Sequence, residues 1–210
     1  MATRFTVFGG WAEDGRSFAD DAGRACIEEK GEGGLRAYRI TTTAALRDNE
    51  PPDKAVAFAE SPRHAVVRSG HLFFDGLYAL AICEALQNSV GEIRDGAYRH
   101  GRSIPLSAFQ TGALWPYVWT RDLSYAAHLA LAGFDPPRTV RSLLFKTSGL
   151  KRGLRGLFPR QIVQDTGSGG SYPVSTDRVV WALGAHEALK HLSEPARSDF
   201  MMSDLVAMLL

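Results

Sequence analysis

Aromatic and charged side chains are crowded into one stretch of the chain, FQTGALWPYVWTRDLSY. Trp115, Tyr117 and Trp119 lie within five residues, and Arg121 and Asp122 follow them at the predicted start of a helix. Flat aromatic rings stack on the C–H faces of a pyranose, while arginine and aspartate form paired hydrogen bonds with its hydroxyl groups. These residue types, at this spacing, predict a carbohydrate-binding surface.

A second stretch, QIVQDTGSGGSYPVSTDRVVW, repeats the arrangement. Asp165 precedes a glycine-rich turn, and Asp177 and Arg178 open the next predicted helix. An acid and an arginine therefore stand at the starts of two predicted helices. Asp75, in an otherwise apolar stretch, is a further acid that we expect to point inward.

Three of these acids also have a purely structural explanation. Asp122 is a good helix N-cap, and Asp177 would be stabilised by the helix dipole behind a Ser175 or Thr176 cap. Asp165 fits an Asx-turn. The sequence alone leaves both explanations open for these three acids.

The elements that must position these residues change in type near residue 66. Before it, polar and apolar residues alternate over 4–8, 35–43 and 54–60, which predicts three short strands. Glycine-rich and proline-rich punctuation separates the three stretches. Three such strands cannot enclose a good core, so we expect the edge of a β-domain or a small sheet that caps another domain.

Helical patterns follow, over 69–88, 123–132, 138–148 and 176–192, with a last helix from about 193 to the end. The first two are apolar nearly all round, which is typical of inner helices that are covered by others. The last carries an apolar stripe, and nothing after it supplies a partner. We therefore expect an incomplete helical toroid that could self-associate through this C-terminal helix.

Composition excludes several kinds of partner. The chain has 210 residues, with 24 Lys and Arg against 23 Asp and Glu and a formal net charge of +1. This balance gives no electrostatic reason to expect nucleic acid or an anionic membrane surface as a partner. The longest apolar run, 77–83, is far shorter than the roughly 20 residues that span a membrane, and the N-terminus lacks the apolar stretch of a secretory signal. As written, the chain is expected to be cytoplasmic.

No motif for a metal or an organic cofactor is found in the sequence. The glycine-rich stretch GSGG lacks the Gly-Lys-Ser/Thr ending of a phosphate-binding loop. The six histidines never fall at helical i, i+4 spacing, and the two cysteines, Cys26 and Cys83, form no Cys-x-x-Cys pair. The sequence therefore predicts neither metal nor cofactor.

Together, WPYVWTRDLSYA and QDTGSGGSYPVSTDRVVWALGA resemble the corresponding segments of bacterial six-hairpin glycosidases, the glucoamylase-like family. The resemblance covers about residues 66–195. It implies a mainly α fold, a partial (α/α)6 toroid of helical hairpins preceded by a small β-rich segment. The domains would then be a β-rich segment over 1–66 and an incomplete helical barrel over 67–210.

The resemblance also implies roles for individual residues. Arg121 and Asp122 match the family's pair that holds sugar hydroxyls, and Trp119 matches the aromatic residue beside it. We expect Trp115 to join them as a substrate-binding residue. The match of Asp165, Asp177 and Arg178 implies that they line the pocket, and they complete the set of expected substrate-binding residues.

Inverting hydrolysis of oligo- or polysaccharide, without a cofactor, is the activity that the family implies. Its general acid and base are expected on loops after later inner helices, C-terminal to this chain. We therefore expect a truncated glycosidase without its catalytic pair, whose relatives are periplasmic or secreted. Two alternatives stay open, namely an inert carbohydrate-binding remnant and a helical protein-interaction module.

Overall fold

The computed structural model divides into two compact units, Met1–Leu86 and Gln87–Leu210. It describes residues 5–7, 10–12, 15–31, 34–44, 55–96, 98–147, 162–163 and 176–203.

The first unit contains a six-stranded antiparallel sheet in which each strand pairs with the next along the chain. At the β3–β4 turn, the Asp20 carboxylate accepts hydrogen bonds from the Ala22 and Gly23 amides, which tightens the reversal. The register pairs Ile27 with Ile40 and Tyr38 with Phe58. The strands are β1 (Phe5–Val7), β2 (Gly10–Ala12), β3 (Ser17–Asp20), β4 (Gly23–Lys30), β5 (Ala37–Thr42) and β6 (Ala55–Ala59).

One helix, α1 (Leu72–Gln87), packs on this sheet. Their shared core consists of Ile27, Tyr38, Phe58, Leu72 and Ala79. The helix comes so close to the sheet at Gly76 that a Cβ there would lie 2.0 Å from the Ile27 Cδ1 atom. Glycine at position 76 therefore permits the close approach of helix and sheet.

Asp75 points inward, as expected, but its partners belong to the first unit. The carboxylate is buried and accepts hydrogen bonds from the Ser69 amide at 2.9 Å and the Arg36 Nη1 at 3.2 Å. Burial by itself would raise the pKa of Asp75, but the Ser69 hydrogen bonds and the Arg36 charge outweigh it and lower that pKa. Asp75 thus fastens the start of α1 to the sheet.

The second unit begins with a two-stranded antiparallel sheet of β7 (Ser89–Ile93) and β8 (Ile104–Phe109). Its helices pack around a core that contains Phe109, Leu143, Phe145, Trp181 and Phe200. The first of them continues without a break from α2 through a π-helical turn into α3. The helices are α2 (Thr120–Ala126), the π turn (Ala127–Leu131), α3 (Ala132–Phe134), α4 (Pro136–Phe145), α5 (Asp177–Lys190) and α6 (Ala196–Met201).

The predicted mainly α fold, a partial toroid of helical hairpins, is wrong. The described residues include eight strands, six of which form one continuous sheet. The helix α1, interpreted from its sequence as covered on all sides, packs one face on that sheet and leaves Phe74 and Leu77 exposed. A helix that is apolar on all sides does not reveal from its sequence how many elements pack on it, or whether those elements are helices.

None of the helices in the described part of the chain combines the length and apolar character that crossing a membrane requires.

Candidate functional site

The aromatic residues of the first stretch form a cluster between β8 and α2. The ring centroids of Trp115 and Trp119 are 5.2 Å apart, and those of Tyr117 and Trp119 are 6.4 Å apart. Trp115 is 49% exposed, whereas Tyr117 and Trp119 are half-buried. The cluster therefore presents a supported aromatic surface to solvent.

Hydrogen bonds along the backbone hold this loop in place. Thr111 donates its amide to the Tyr117 carbonyl at 2.7 Å and accepts from the Trp119 amide through its hydroxyl at 3.3 Å. Gly112 and Trp115 exchange backbone hydrogen bonds of 3.2 and 3.1 Å. The aromatic residues thus lie on a loop that is closed by hydrogen bonds. Because the loop is already ordered, less conformational entropy is lost when a ligand binds.

An ion pair joins the two stretches that the sequence singled out. The Arg121 Nη1 atom, in the first turn of α2, donates to Asp177 Oδ1, in the first turn of α5, at 2.8 Å. The Asp177 side chain is fully buried, and the Arg121 side chain is 26% exposed. Residues 56 positions apart in sequence are thereby brought into direct contact.

The same two helices also approach closely further along their length. A Cβ at Gly184 of α5 would be 3.0 Å from both the Cα and the carbonyl oxygen of Ser124 in α2. Those neighbours are main-chain atoms, so the helices themselves would have to move to admit a larger side chain. The pair Ser124 and Gly184 therefore sets the spacing of α2 and α5, and sequence reasoning did not single it out.

Replacing Gly184 with valine is expected to destabilise the second unit by about 1–3 kcal/mol, because the added methyl groups overpack the contact with Ser124. Ala182→Val, at a half-buried position of the same helix, is the matched control for the helix propensity of valine. Urea denaturation followed by far-ultraviolet circular dichroism measures both. Equal stability of the two variants would contradict the assigned role of Gly184.

The second stretch also reaches the start of α2 through its backbone. The Thr120 hydroxyl donates to the Val163 carbonyl at 2.9 Å, and the Val163 amide donates to the Lys146 carbonyl at 2.9 Å. Val163 therefore lies against the residue before Arg121. Asp165, two positions later, lies outside the described residues.

Asp122 and Arg178 are both exposed at the beginnings of their helices. The N-cap position of α2 is Trp119, so Asp122 falls in the first turn and does not fill the capping position proposed for it. The N-cap of α5 is Thr176, which makes no side-chain capping hydrogen bond. Dipole stabilisation remains a compatible explanation for Asp177, in the first turn of α5.

Comparisons with protein-family models, with curated proteins and with solved structures find no match to this chain. Within the described ranges, no three histidine, cysteine, aspartate or glutamate side chains are placed so that they could hold a metal ion. The likeness to six-hairpin glycosidases thus stays a prediction from the sequence motifs, and function has to be argued from the site.

Proposed function

We propose that the second unit binds a carbohydrate at the aromatic surface of Trp115 and Trp119. The observation that carries the proposal is the half-exposed Trp115, which is supported by the Trp119 ring 5.2 Å away and lies six residues before Arg121 of the Arg121–Asp177 ion pair. In this proposal a pyranose stacks on these rings, and its hydroxyl groups are held by Arg121 and by the exposed carboxylate of Asp122, which follow Trp119 in the chain.

Binding is proposed here as the function, and hydrolysis is a separate outcome of the test. Inverting hydrolysis uses two carboxyl groups roughly 6.5–9.5 Å apart, one of which activates a water. Asp177 is fully buried and bonded to Arg121, which is a poor position from which to exchange a proton with solvent water. Asp122 is the exposed acid of the described site, and it is proposed to hold sugar hydroxyls.

Asp122→Asn and Trp115→Ala are each expected to weaken carbohydrate binding at least about tenfold, because one removes a charged hydrogen-bond acceptor and the other a stacking face. Neither should change the melting temperature by more than a few degrees, since both side chains are exposed. Affinity electrophoresis in gels that contain soluble starch, xylan or hydroxyethyl cellulose gives the retardation of each variant.

Leu114→Ala is the matched control, because Leu114 is 61% exposed in the same loop. If a polysaccharide retards both site variants as strongly as the wild type, the assigned surface is wrong. Reducing-sugar release from the same polysaccharides tests hydrolysis. Release that disappears in Asp122→Asn would extend the proposal from binding to catalysis.

A protein-interaction face is the second candidate function. Leu129 on the π turn and Val179 on α5 are 78% and 74% exposed, and Tyr125 on α2 is 49% exposed. Apolar side chains this exposed on adjacent helices are typical of an interaction surface. Sedimentation velocity over a range of concentrations tests it, and a Leu129→Ser variant should shift any dimer toward monomer.

The sequence predicted self-association through the C-terminal helix. Phe200 of α6 is buried against Trp181, with ring centroids 6.4 Å apart, so this part of its apolar stripe has a partner within the unit. Met201 of the same stripe is 40% exposed. Its other members, within residues 204–210, lie outside the described residues.

A further inference from the structure

We propose that Asp177 is a positioning residue, which orients the guanidinium of Arg121 for ligand binding and does not itself touch the ligand. The inference rests on the proposed function and changes the role of one residue in it, because the sequence had placed Asp177 among the substrate-binding residues. The geometry that carries it is the 2.8 Å contact between a fully buried carboxylate and a partly exposed arginine.

The side chains of Arg121 and Asp177 differ in their exposure to solvent. None of the Asp177 side chain is exposed, whereas 26% of the Arg121 side chain is. A ligand that approaches from solvent can therefore reach the exposed part of the Arg121 side chain, whereas the Asp177 side chain offers it no accessible surface.

The support behind Asp177 is rigid. Asp177 begins α5, in which the next two buried residues on its inner side are Val180 and Trp181. Trp181 is itself fixed by a hydrogen bond from its indole Nε1 to the Leu143 carbonyl at 3.0 Å. The carboxylate is thus attached to an element that cannot turn without breaking the core of the second unit.

Fixing an arginine before the ligand arrives has a definite energetic value. A free arginine side chain loses rotamer entropy when it is ordered. Because the hydrogen bond to Asp177 orders the Arg121 side chain when the protein folds, less side-chain entropy is lost when a ligand binds. A buried carboxylate is unfavourable without its cation, so Arg121 and Asp177 hold each other in place.

The first measurement needs no ligand. In the wild type, the guanidinium NMR signals of Arg121, assigned by their disappearance in Arg121→Lys, are expected to show restricted rotation about the Nε–Cζ bond. Asp177→Asn should average those signals while the protein keeps its melting transition. Glu187→Gln is the control, because Glu187 also pairs with a cation on α5, Lys190 at 2.7 Å, but lies ten residues further along the helix.

The second measurement is a double-variant cycle read by isothermal titration with the oligosaccharide of whichever polysaccharide retards the wild type. Arg121→Lys and Asp177→Asn should each weaken binding about tenfold, and the double variant should be no weaker than Arg121→Lys alone. Arg121→Lys keeps the ion pair, so it also covers the case in which Asp177→Asn does not fold. Additive losses, or unchanged affinity in Asp177→Asn with a mobile Arg121, would overturn the positioning role.

The two proposals fail in different ways. If no polysaccharide retards the wild type, the proposed function fails, and with it the role of Asp177 in ligand binding, whatever the NMR signals show. If the wild type binds and Asp177→Asn binds equally well, the carbohydrate function stands and the positioning role is rejected.

Discussion

Replacing Trp181 with alanine is expected to remove most of the stability of the second unit, at a cost of about 3–5 kcal/mol. The indole is fully buried at the centre of that unit's core. Its ring packs on Phe200 and its Nε1 donates to the Leu143 carbonyl of α4, so a single side chain joins three helices. Alanine would leave a large cavity and remove the indole hydrogen bond to the Leu143 carbonyl, which would keep only the 3.1 Å bond from the Lys146 amide among those described.

Two further variants separate these contributions. Trp181→Phe keeps most of the packing and loses the hydrogen bond to Leu143, so about 1–2 kcal/mol is expected. Val179→Ala, 74% exposed on the same helix, should change stability by less than about 0.5 kcal/mol. Urea titrations followed by circular dichroism rank the three. A Trp181→Ala variant as stable as Val179→Ala would show that α5 does not organise this core.

The strongest local patterns in the sequence do correspond to elements of the structure. The alternating stretches over 35–43 and 54–60 form β5 and β6, and the pattern over 176–192 forms α5. The stretch over 123–132 lies within the continuous helical segment that includes α2, the π turn and α3. For β5 and β6 the signal is the alternation of polar and apolar residues along the strand, which is strong enough to outweigh the other local preferences.

The strands that were missed have weaker patterns. The strand β4, GRACIEEK, carries charged residues on its exposed face and buries only Ile27, so its alternation is hard to recognise without knowing its neighbours. In β8, IPLSAF, a proline near the start argues against a strand. Pairing with adjacent strands determines both, and pairing is a tertiary effect that a single sequence does not display.

The fold class could not be predicted for a related reason. An apolar helix such as α1 can be buried by helices or by a sheet, and its own sequence is compatible with either. The local feature of α1 that reflects its packing on a sheet is Gly76, because it allows the helix to approach Ile27 of β4 closely. A lone glycine inside a helix pattern is tolerated for many reasons, so it predicts no particular partner.

The residues of the candidate site could be selected from the sequence by their type and position. Arg121 and Asp177 were chosen for residue type and for their position at two helix starts, and the structure places them in contact. Their different exposures depend on how α2 and α5 pack, which no local pattern encodes. The sequence therefore selected the residues, whereas the distinction between ligand contact and positioning required the packing of the two helices.

Acidification is expected to weaken the first unit through Glu60, which follows β6. The Glu60 carboxylate is almost fully buried and accepts hydrogen bonds from Arg68 Nη2 at 2.7 Å, the Tyr38 hydroxyl at 2.8 Å and the Arg36 amide at 2.8 Å. The hydrogen bonds from Arg68, with smaller help from the Arg36 amide and Tyr38, outweigh the effect of burial and lower the pKa of Glu60 from its usual 4.5 to about 2.

The direction of the pH effect follows from that lowered pKa. Because the folded-state pKa of Glu60 lies below its unfolded value, its stabilising contribution is complete above about pH 4.5 and is lost as the pH falls through 2. A lowering from 4.5 to about 2 corresponds to about 3 kcal/mol at neutral pH. The pKa of Asp75 is lowered too, so its contribution changes in the same direction.

Glu60→Gln separates this carboxylate from the rest of the acid response. At pH 7 the variant should lose about 2–3 kcal/mol, because a neutral amide cannot replace the charged pair with Arg68. Hydrogen exchange at the Ile27 and Tyr38 amides reports the stability of this unit by itself, since both residues lie in its core. Between pH 5 and 2.5 the wild type should lose protection more steeply than Glu60→Gln.

Glu28→Gln is the control. The Glu28 side chain is 57% exposed and 3.9 Å from Arg39, so this variant should follow the wild type, because an exposed pair contributes little. Parallel pH profiles for wild type and Glu60→Gln would mean that the Glu60–Arg68 pair does not hold β6 to the sheet, and that the acid sensitivity of this unit has to come from other carboxylates, with Asp75 the next to test.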